Sequence, residues 1–227
     1  MKRKRFWILL LVLCVVVIVW AVRWGKTGAT KGAGGVLEQV VRIDPNDADA
    51  HVHLGDAYYD SNDIEAAIRS YEQATRIDPK HFEARWRLAD CYWELGKYEE
   101  CIEHSKMALL MKPDFTYGHI ALGFGLMDLG RYEEAAEAFR KAVELEPDVV
   151  GLNLLLGKAY AKSGLSEDAI AAYKQVTNID TNRPQAHYNL GEVYLQLGNT
   201  DLALKEYEIL KGLDKELADN LFNLIAR

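Results

Sequence analysis

Leucine and small residues recur along the chain with a fixed period of 34 residues. Position 7 of each period, counted from Ala48, Phe82, Thr116, Val150 and Pro184, is always leucine. Position 8 is glycine in four periods and alanine in one, and position 11 is tyrosine in four and leucine in one. Residues three or four apart lie on one side of an α-helix. These positions therefore predict one amphipathic helix at the start of every period.

A second helix is predicted in the later half of each period. Position 20 is alanine or cysteine, position 24 is aromatic in four periods, and position 27 is alanine, valine or leucine. Small residues at positions 8 and 20 allow two helices to pack closely, and the larger residues at positions 7, 11 and 24 fill the space between them. Position 15 is glycine in four periods and Asn62 in the first. Both residues tolerate the left-handed backbone that ends a helix.

The sequence resembles the tetratricopeptide repeat family. The resemblance rests on the 34-residue period, the Leu-Gly pair followed by tyrosine, the Ala–aromatic–Ala spacing of the second helix and the terminal proline seen in RIDP at 42–45 and 76–79. It implies an all-α protein, a right-handed α-solenoid of helix-turn-helix repeats. The predicted repeats span 48–81, 82–115, 116–149, 150–183 and 184–217, with a partial capping repeat at 36–47 and a C-terminal capping helix at 218–227.

A long apolar segment precedes the repeats. After a basic tail at 1–5 comes an uncharged run long enough to cross a bilayer, with tryptophans near both ends. We therefore expect a transmembrane anchor at 6–24 and a glycine-rich linker at 25–35. A cleaved signal peptide is the alternative, although its apolar region is typically about 7–15 residues long and ends at small residues. Four basic residues precede the segment and three follow it, which favours a single-pass protein with a cytoplasmic N-terminus and extracytoplasmic repeats, periplasmic in a bacterium.

The charge of the chain is divided unevenly. Residues 1–35 carry seven lysines and arginines and no acidic residue, so the repeats are strongly acidic although the net charge of the whole chain is −7. An acidic body repels nucleic acid, and we expect no nucleic-acid partner.

The sequence contains no recognisable catalytic or metal-binding constellation. His51, His119 and His187 share position 4 but lie two periods apart, so packing within the repeats is favoured over a shared metal. Cys91 and Cys101 lie on facing helices of the second repeat, where buried free thiols are favoured over a disulfide. We expect a protein that is not an enzyme and that needs no metal or small-molecule cofactor.

The far side of each first helix, at positions 2, 5, 9, 12 and 13, is the predicted binding surface. The family resemblance implies that this side lines a concave groove. Aromatic side chains at these positions predict a recognition platform, and the surrounding carboxylates predict attraction for basic segments. The platform would consist of Tyr59, Trp86, Trp93, Tyr117 and Phe124. The other predicted ligand-binding residues are Asp49, Asp56, Asp60, Glu83, Asp90, Glu94, Lys158, Lys162 and Tyr188.

Some members of the family clamp acidic chaperone tails with Lys, Asn and Arg side chains on the groove helices. In this sequence, Val52 and Asp56 stand at positions 5 and 9 of the first repeat, so that clamp is not matched. The asparagine ladder found in other members is not matched either. We therefore expect basic or apolar peptide segments to bind better than acidic ones.

These features together predict a membrane-anchored scaffold or adaptor that mediates protein–protein interaction through the groove of a five-repeat array. Two alternatives stay open. The chain could be the substrate-selecting accessory subunit of a separate membrane or envelope enzyme or assembly machinery, or an organelle import receptor with cytosolic repeats.

Overall fold

The computed structural model describes residues 30–226, and all regular secondary structure in this range is α-helical. Four pairs of consecutive helices form hairpins with extensive contacts, namely α2–α3, α6–α7, α8–α9 and α10–α11. The helices are α1 (Thr30–Ile43), α2 (Ala48–Asp60), α3 (Ile64–Ile77), α4 (Phe82–Glu94), α5 (Tyr98–Met111), α6 (Thr116–Asp128), α7 (Tyr132–Leu145), α8 (Val150–Lys162), α9 (Ser166–Ile179), α10 (Pro184–Gln196), α11 (Thr200–Leu213) and α12 (Lys215–Ile225).

The first helix of each hairpin begins at the residue from which the sequence period is counted, as at Ala48 and Phe82. The all-helical repeat fold implied by the family resemblance is therefore confirmed. The described residues divide into two compact units, one ending at Gly96 and the other beginning at Lys97, which we call the first and second units.

The first unit is built around the side chains that the period predicts to be apolar. Helices α2, α3 and α4 enclose a core that contains Val52, Tyr71 and Leu88. Helix α1 adds Leu37, which packs with Leu54 in a smaller cluster. The partial first repeat therefore covers an apolar surface of α2 that water would otherwise reach.

The second unit has three adjoining clusters of buried side chains. One surrounds Phe139 between α6, α7 and α8, and the next surrounds Tyr173 and Leu190. The third joins Leu210 to Leu221 and is closed by α12. The helical array of this unit therefore has its apolar surface covered at the C-terminal end by one additional helix.

Left-handed residues end the first helix of every hairpin. Asn62 has φ +63°, and the glycines at the same position of the other repeats have φ between +70° and +81°. Side-chain caps then start some of the following helices: Asp63 accepts a hydrogen bond from the main-chain N–H of Ala66 at 3.0 Å. The turn predicted at position 15 is confirmed.

The polar residue at position 4 ties the start of four of the first helices to the turn that precedes each of them. Its side chain donates a hydrogen bond to the main-chain carbonyl six residues earlier. These pairs are His51 with Pro45 at 3.2 Å, His119 with Pro113 at 2.8 Å, Asn153 with Pro147 at 2.9 Å and His187 with Thr181 at 3.1 Å. The position-4 histidines thus stabilise the junction between repeats.

His187 has a second partner that distinguishes it from the other position-4 residues. Its Nδ1 lies 2.7 Å from Oε2 of Glu206, and the two side chains are only 8% and 15% exposed. Because Asn153 makes the same turn contact in the fourth repeat, His187→Asn should keep the carbonyl bond and lose the bond to Glu206. We expect a loss of about 1.5–3 kcal/mol in the free energy of unfolding, the usual contribution of a hydrogen bond to a charged group. Chemical denaturation measures it.

His119→Asn is the matched control, because the asparagine should reproduce the bond of His119 to Pro113. Its cost should be smaller, about 0.5–1 kcal/mol. Equal costs for the two substitutions would show that Glu206 does not stabilise the fifth repeat.

The ends of the array differ from the sequence-based boundaries. Helix α1 begins at Thr30, so residues 30–35 of the predicted linker are helical instead. Each residue added to an existing helix gains one hydrogen bond, which extends α1 through glycines that would not start a helix alone. Helix α12 begins at Lys215 rather than 218 because Asp214 both ends α11 and caps α12, accepting a hydrogen bond from Leu217 N–H at 3.1 Å.

Within residues 30–226, none of the helices is long and apolar enough to cross a membrane. The predicted basic tail at 1–5 and transmembrane anchor at 6–24 lie outside the described residues and stay predictions.

Candidate functional site

The far sides of α2 and α4 meet through two polar contacts in the first unit. Tyr59 on α2 lies beside Asp90 on α4, whose negative charge adds to the rise that burial causes in the pKa of the Tyr59 hydroxyl. Asp56 on α2 lies 2.9 Å from Nε of Arg87 on α4, and it also accepts a hydrogen bond from the Tyr71 hydroxyl at 2.7 Å. Positions 9 and 12 of α2 therefore lie beside positions 6 and 9 of α4, respectively.

Two tryptophans lie on either side of Asp90 along α4. Trp86 precedes it by four residues and Trp93 follows it by three, which places all three side chains on one face of the helix. Both indoles are half-buried, and the Arg87 guanidinium lies 4.3 Å from the centre of the Trp86 ring. A cation at this distance from a ring is attracted to its π-electrons. We call the face formed by Tyr59, Asp60, Trp86, Asp90, Trp93 and Glu94 the α2–α4 surface.

Two carboxyl groups of the α2–α4 surface, those of Asp60 and Asp90, have a raised pKa. Burial raises the pKa of Asp90, although hydrogen bonding from Tyr59 and the charge of Arg87 oppose the rise. Burial also raises the pKa of Asp60, and the nearby charge of Asp56 raises it further. Negative charge is therefore costly on this face, and a cation brought close to it would be stabilised.

Not every predicted carboxylate is available to a ligand. Asp56 is neutralised by Arg87. Asp49 lies 2.9 Å from Nε2 of His81, but its side chain is 77% exposed. Glu83 and Glu94 are exposed, as is Asp60. The sequence analysis missed Arg87, although its spacing of three residues from Asp90 on one helix was a usable signal. It also placed Val52 on the far side of α2, whereas Val52 is 6% exposed and packs in the core.

The remaining members of the predicted aromatic platform belong to the second unit. Tyr117 is 61% exposed at the start of α6, with its ring centre 5.9 Å from that of Phe115. Phe124 is half-buried and contacts Phe139 edge-on, with ring centres 5.7 Å apart. Tyr59, Trp86 and Trp93 all belong to the first unit, and a platform that joins all five residues stays a prediction.

A groove of about 690 Å³ lies between the first helices of the fourth and fifth repeats, and we call it the α8–α10 groove. Most of the residues predicted to line a groove in these repeats surround it. Those residues are Gly151, Leu154, Lys158, Ala161, Lys162, Gln185, Glu192 and Gln196, and the groove is completed by Leu155, Tyr173, Asn189 and Val193.

Polar side chains are organised along the α10 side of this groove. Gln185 Nε2 donates to Asn189 Oδ1 at 2.9 Å, and the Asn189 side chain lies beside the hydroxyl of Tyr173. Burial raises the pKa of Tyr173, and the charge of Glu192 raises it further. Tyr188, which was predicted to contact ligand directly, is half-buried against the Leu210 cluster and donates to Glu192 at 3.1 Å.

Two thiols are buried within the described residues. Cys91 and Cys101 form no disulfide there, which confirms the expectation from the sequence. Burial raises the pKa of the Cys91 thiol to about 12, and the neighbouring Asp90 adds to the shift. Since thiolates are the reactive form of cysteine, Cys91 is poorly suited to nucleophilic chemistry at neutral pH.

Repeated helix pairs with polar and aromatic surfaces on their first helices are typical of helical-repeat proteins that bind other proteins. Models of the tetratricopeptide repeat match residues 26–69, 55–96, 82–115, 126–187 and 184–216, which together are most of the chain. The chain belongs to the tetratricopeptide repeat family.

Several solved structures of the family are similar to this chain. YrrB, a tetratricopeptide repeat protein with an unusual peptide-binding site, is 22% identical, with a TM-score of 0.75 over 82% of this chain and 97% of its own. MamA is 23% identical, with a TM-score of 0.68 over 73% and 97%. TTC0263, a thermophilic protein of Thermus thermophilus, is 24% identical, with a TM-score of 0.55 over 80% and 100%. At these identities the likeness establishes the fold. No curated protein matches the chain in sequence.

Proposed function

We propose that the protein is a non-catalytic scaffold that binds a basic or apolar peptide segment of a partner protein on the α2–α4 surface. The observation that carries the proposal is the arrangement of Trp86, Asp90 and Trp93 on one face of α4, with Tyr59 of α2 close enough to Asp90 for each to shift the other's pKa. Large aromatic side chains contribute strongly at recognition surfaces because they bury much area with little loss of side-chain entropy. Peptide binding by YrrB, a protein of the same fold, supports this class of function.

Charge selects the kind of segment. Asp60, Glu83 and Glu94 are exposed on or beside the α2–α4 surface, whereas Arg87 already neutralises Asp56. A lysine or arginine side chain of the partner would gain the attraction of these carboxylates, and its methylene groups would cover the indole rings. An acidic segment would meet like charges there.

We further propose that the apolar segment at 6–24 anchors this scaffold in a membrane and leaves the repeats outside the cytoplasm. The support is the length of the segment and the excess of basic residues before it. Protease treatment of intact cells distinguishes this arrangement from that of an import receptor with cytosolic repeats. Repeats outside the cytoplasm are degraded once any outer barrier is opened, whereas cytosolic repeats are protected.

Peptide binding to the full-length protein tests the α2–α4 surface. We expect a blocked peptide of alternating lysine and leucine to bind, and Trp86→Ala and Trp93→Ala each to weaken this binding by about 30-fold, the effect of losing about 2 kcal/mol at an interaction hot spot. Fluorescence anisotropy of a labelled peptide measures the affinity.

Two charge variants separate a specific contact from general attraction to an acidic protein. Asp60→Asn combined with Glu94→Gln should weaken binding of the lysine peptide about tenfold, given the usual strength of exposed ion pairs. Glu65→Gln combined with Glu216→Gln removes two exposed carboxylates elsewhere and should change little. If both pairs weaken binding equally, or if the tryptophan variants bind normally, the α2–α4 surface is not the site.

A further inference from the structure

The fourth repeat carries positive charges at helix positions that are negatively charged in the first two repeats, which form the proposed α2–α4 binding surface. Positions 9 and 13 are acidic in the first two repeats, and they are Lys158 and Lys162 in the fourth. Both lysines are exposed on the wall of the α8–α10 groove. Among residues 30–226, the ion pairs within 4.0 Å include neither of them. Two cations thus face the groove, and neither forms an ion pair within the described residues.

The rest of the α8–α10 groove is suited to an extended chain. Its apolar lining includes Leu154 and Val193, and its α10 wall presents the side-chain amides of Gln185, Asn189 and Gln196. Amides both donate and accept hydrogen bonds, so they can pair with the main chain of a bound segment. The volume of about 690 Å³ is in the range of pockets that hold ligands with several side-chain-sized groups.

We propose that the α8–α10 groove binds an extended segment of a partner protein in which acidic side chains alternate with apolar ones. The acidic side chains would pair with Lys158 and Lys162, and the apolar ones would cover the leucine and valine of the lining. This inference rests on the proposed function, because it assumes that the first helices bind peptides. It differs in assigning an acidic segment to the α8–α10 groove, whereas the proposed function assigns a basic or apolar segment to the α2–α4 surface.

Glu192 limits the affinity of such a segment. It lies on the groove wall and accepts a hydrogen bond from Tyr188 at 3.1 Å. Its charge would repel a carboxylate of the ligand, so its removal should strengthen binding of an acidic segment. A substitution that merely damaged the fold would weaken binding instead, so the two explanations predict opposite changes in affinity.

The test uses the full-length protein and a blocked, fluorescently labelled peptide of alternating glutamate and leucine. Lys158→Gln combined with Lys162→Gln should weaken its binding about tenfold and reduce its dependence on salt concentration. Glu192→Gln should strengthen binding about threefold. The matched control, Lys174→Gln with Lys205→Gln, removes two exposed lysines from second helices and should leave the affinity unchanged.

The same variants are assayed with the lysine–leucine peptide, whose binding should depend on Trp86 and not on Lys158. If binding of the lysine–leucine peptide does not depend on Trp86, the proposed function of the α2–α4 surface is contradicted. That result leaves the inference for the α8–α10 groove unaffected. Equal effects of the two lysine pairs, weaker binding in Glu192→Gln, or binding only when the peptide has a free C-terminal carboxylate would each overturn the inference for the α8–α10 groove.

Discussion

Replacing Tyr71 by alanine is expected to lower the free energy of unfolding of the first unit by about 3–5 kcal/mol, the usual cost of truncating a buried aromatic side chain. Tyr71 is completely buried, and its ring fills the space left open by Gly55. A β-carbon placed on Gly55 would be 2.4 Å from Cε1 of Tyr71, which shows how closely α2 and α3 approach there. Alanine would leave a cavity that this helix pair cannot easily close.

Tyr71→Phe separates the ring from its hydroxyl group. Phenylalanine occupies the same position in the third repeat as Phe139, which is also completely buried, so the ring alone is compatible with the fold. The substitution removes the hydrogen bond to Asp56, whereas Arg87 still pairs with that carboxylate. We therefore expect a smaller loss, about 1.5 kcal/mol.

Hydrogen exchange followed by mass spectrometry locates these effects, and denaturation by urea measures them. Peptides from α2, α3 and α4 should exchange faster in Tyr71→Ala, because stability in a repeat array is largely a sum of local terms. Equal losses for Tyr71→Ala and Tyr71→Phe would mean that the packing of the ring against Gly55 contributes nothing. Faster exchange spread evenly over both units would contradict the local origin of the effect.

The helical architecture was predictable because it repeats. Five registered copies make the stripe at positions 7, 8 and 11 visible, and the left-handed residue at position 15 follows from the recurrence of glycine and Asn62. The only repeat without glycine at position 8 is also the one without an aromatic ring at position 24, where Ala89 and Ser105 stand instead. The sequence alone shows that a larger residue at position 8 accompanies a smaller one at position 24. In the structure, position-24 rings in the repeats before the last one pack against position-8 glycines, as Tyr71 does against Gly55.

The ends of the array were less predictable because they occur once. Nothing in the period shows that Leu221 of α12 rather than Tyr207 packs against Gly191, where a β-carbon would be 2.5 Å from Cδ2 of Leu221. Tyr207 instead contacts Phe222, with ring centres 5.3 Å apart. A terminal helix is free to pack differently because no further repeat constrains its register.

The candidate sites were predictable as faces but not as sets of contacts. Helical spacing correctly brings Lys158 and Lys162 to one side of α8, where they line a groove. It does not reveal that Arg87 neutralises Asp56 or that Tyr188 turns toward the Leu210 cluster. Both contacts involve side chains of neighbouring helices. The residue spacing within one helix does not predict which side chains of its neighbours it meets.

Gly157→Ala is expected to destabilise the second unit by about 1–3 kcal/mol, the usual cost of overpacking a filled core. In an exposed helix interior the same substitution normally stabilises by about 1 kcal/mol, because alanine is a better helix former than glycine. At Gly157 the new β-carbon would lie 2.4 Å from Cε1 of Tyr173, a ring that is only 2% exposed. Steric conflict should therefore outweigh helix propensity and reverse the sign of the effect.

Gly212→Ala provides the control for helix propensity, since a β-carbon on Gly212 of α11 meets nothing within 4 Å. We expect it to be neutral or slightly stabilising in the same urea titration. Because Tyr173 also lines the α8–α10 groove beside Asn189, movement of its ring in Gly157→Ala should weaken binding of the glutamate–leucine peptide as well. If Gly157→Ala proved as stable as Gly212→Ala, α8 and α9 would be able to separate without cost. Close packing of the helices, on which both proposed surfaces depend, would then not be required.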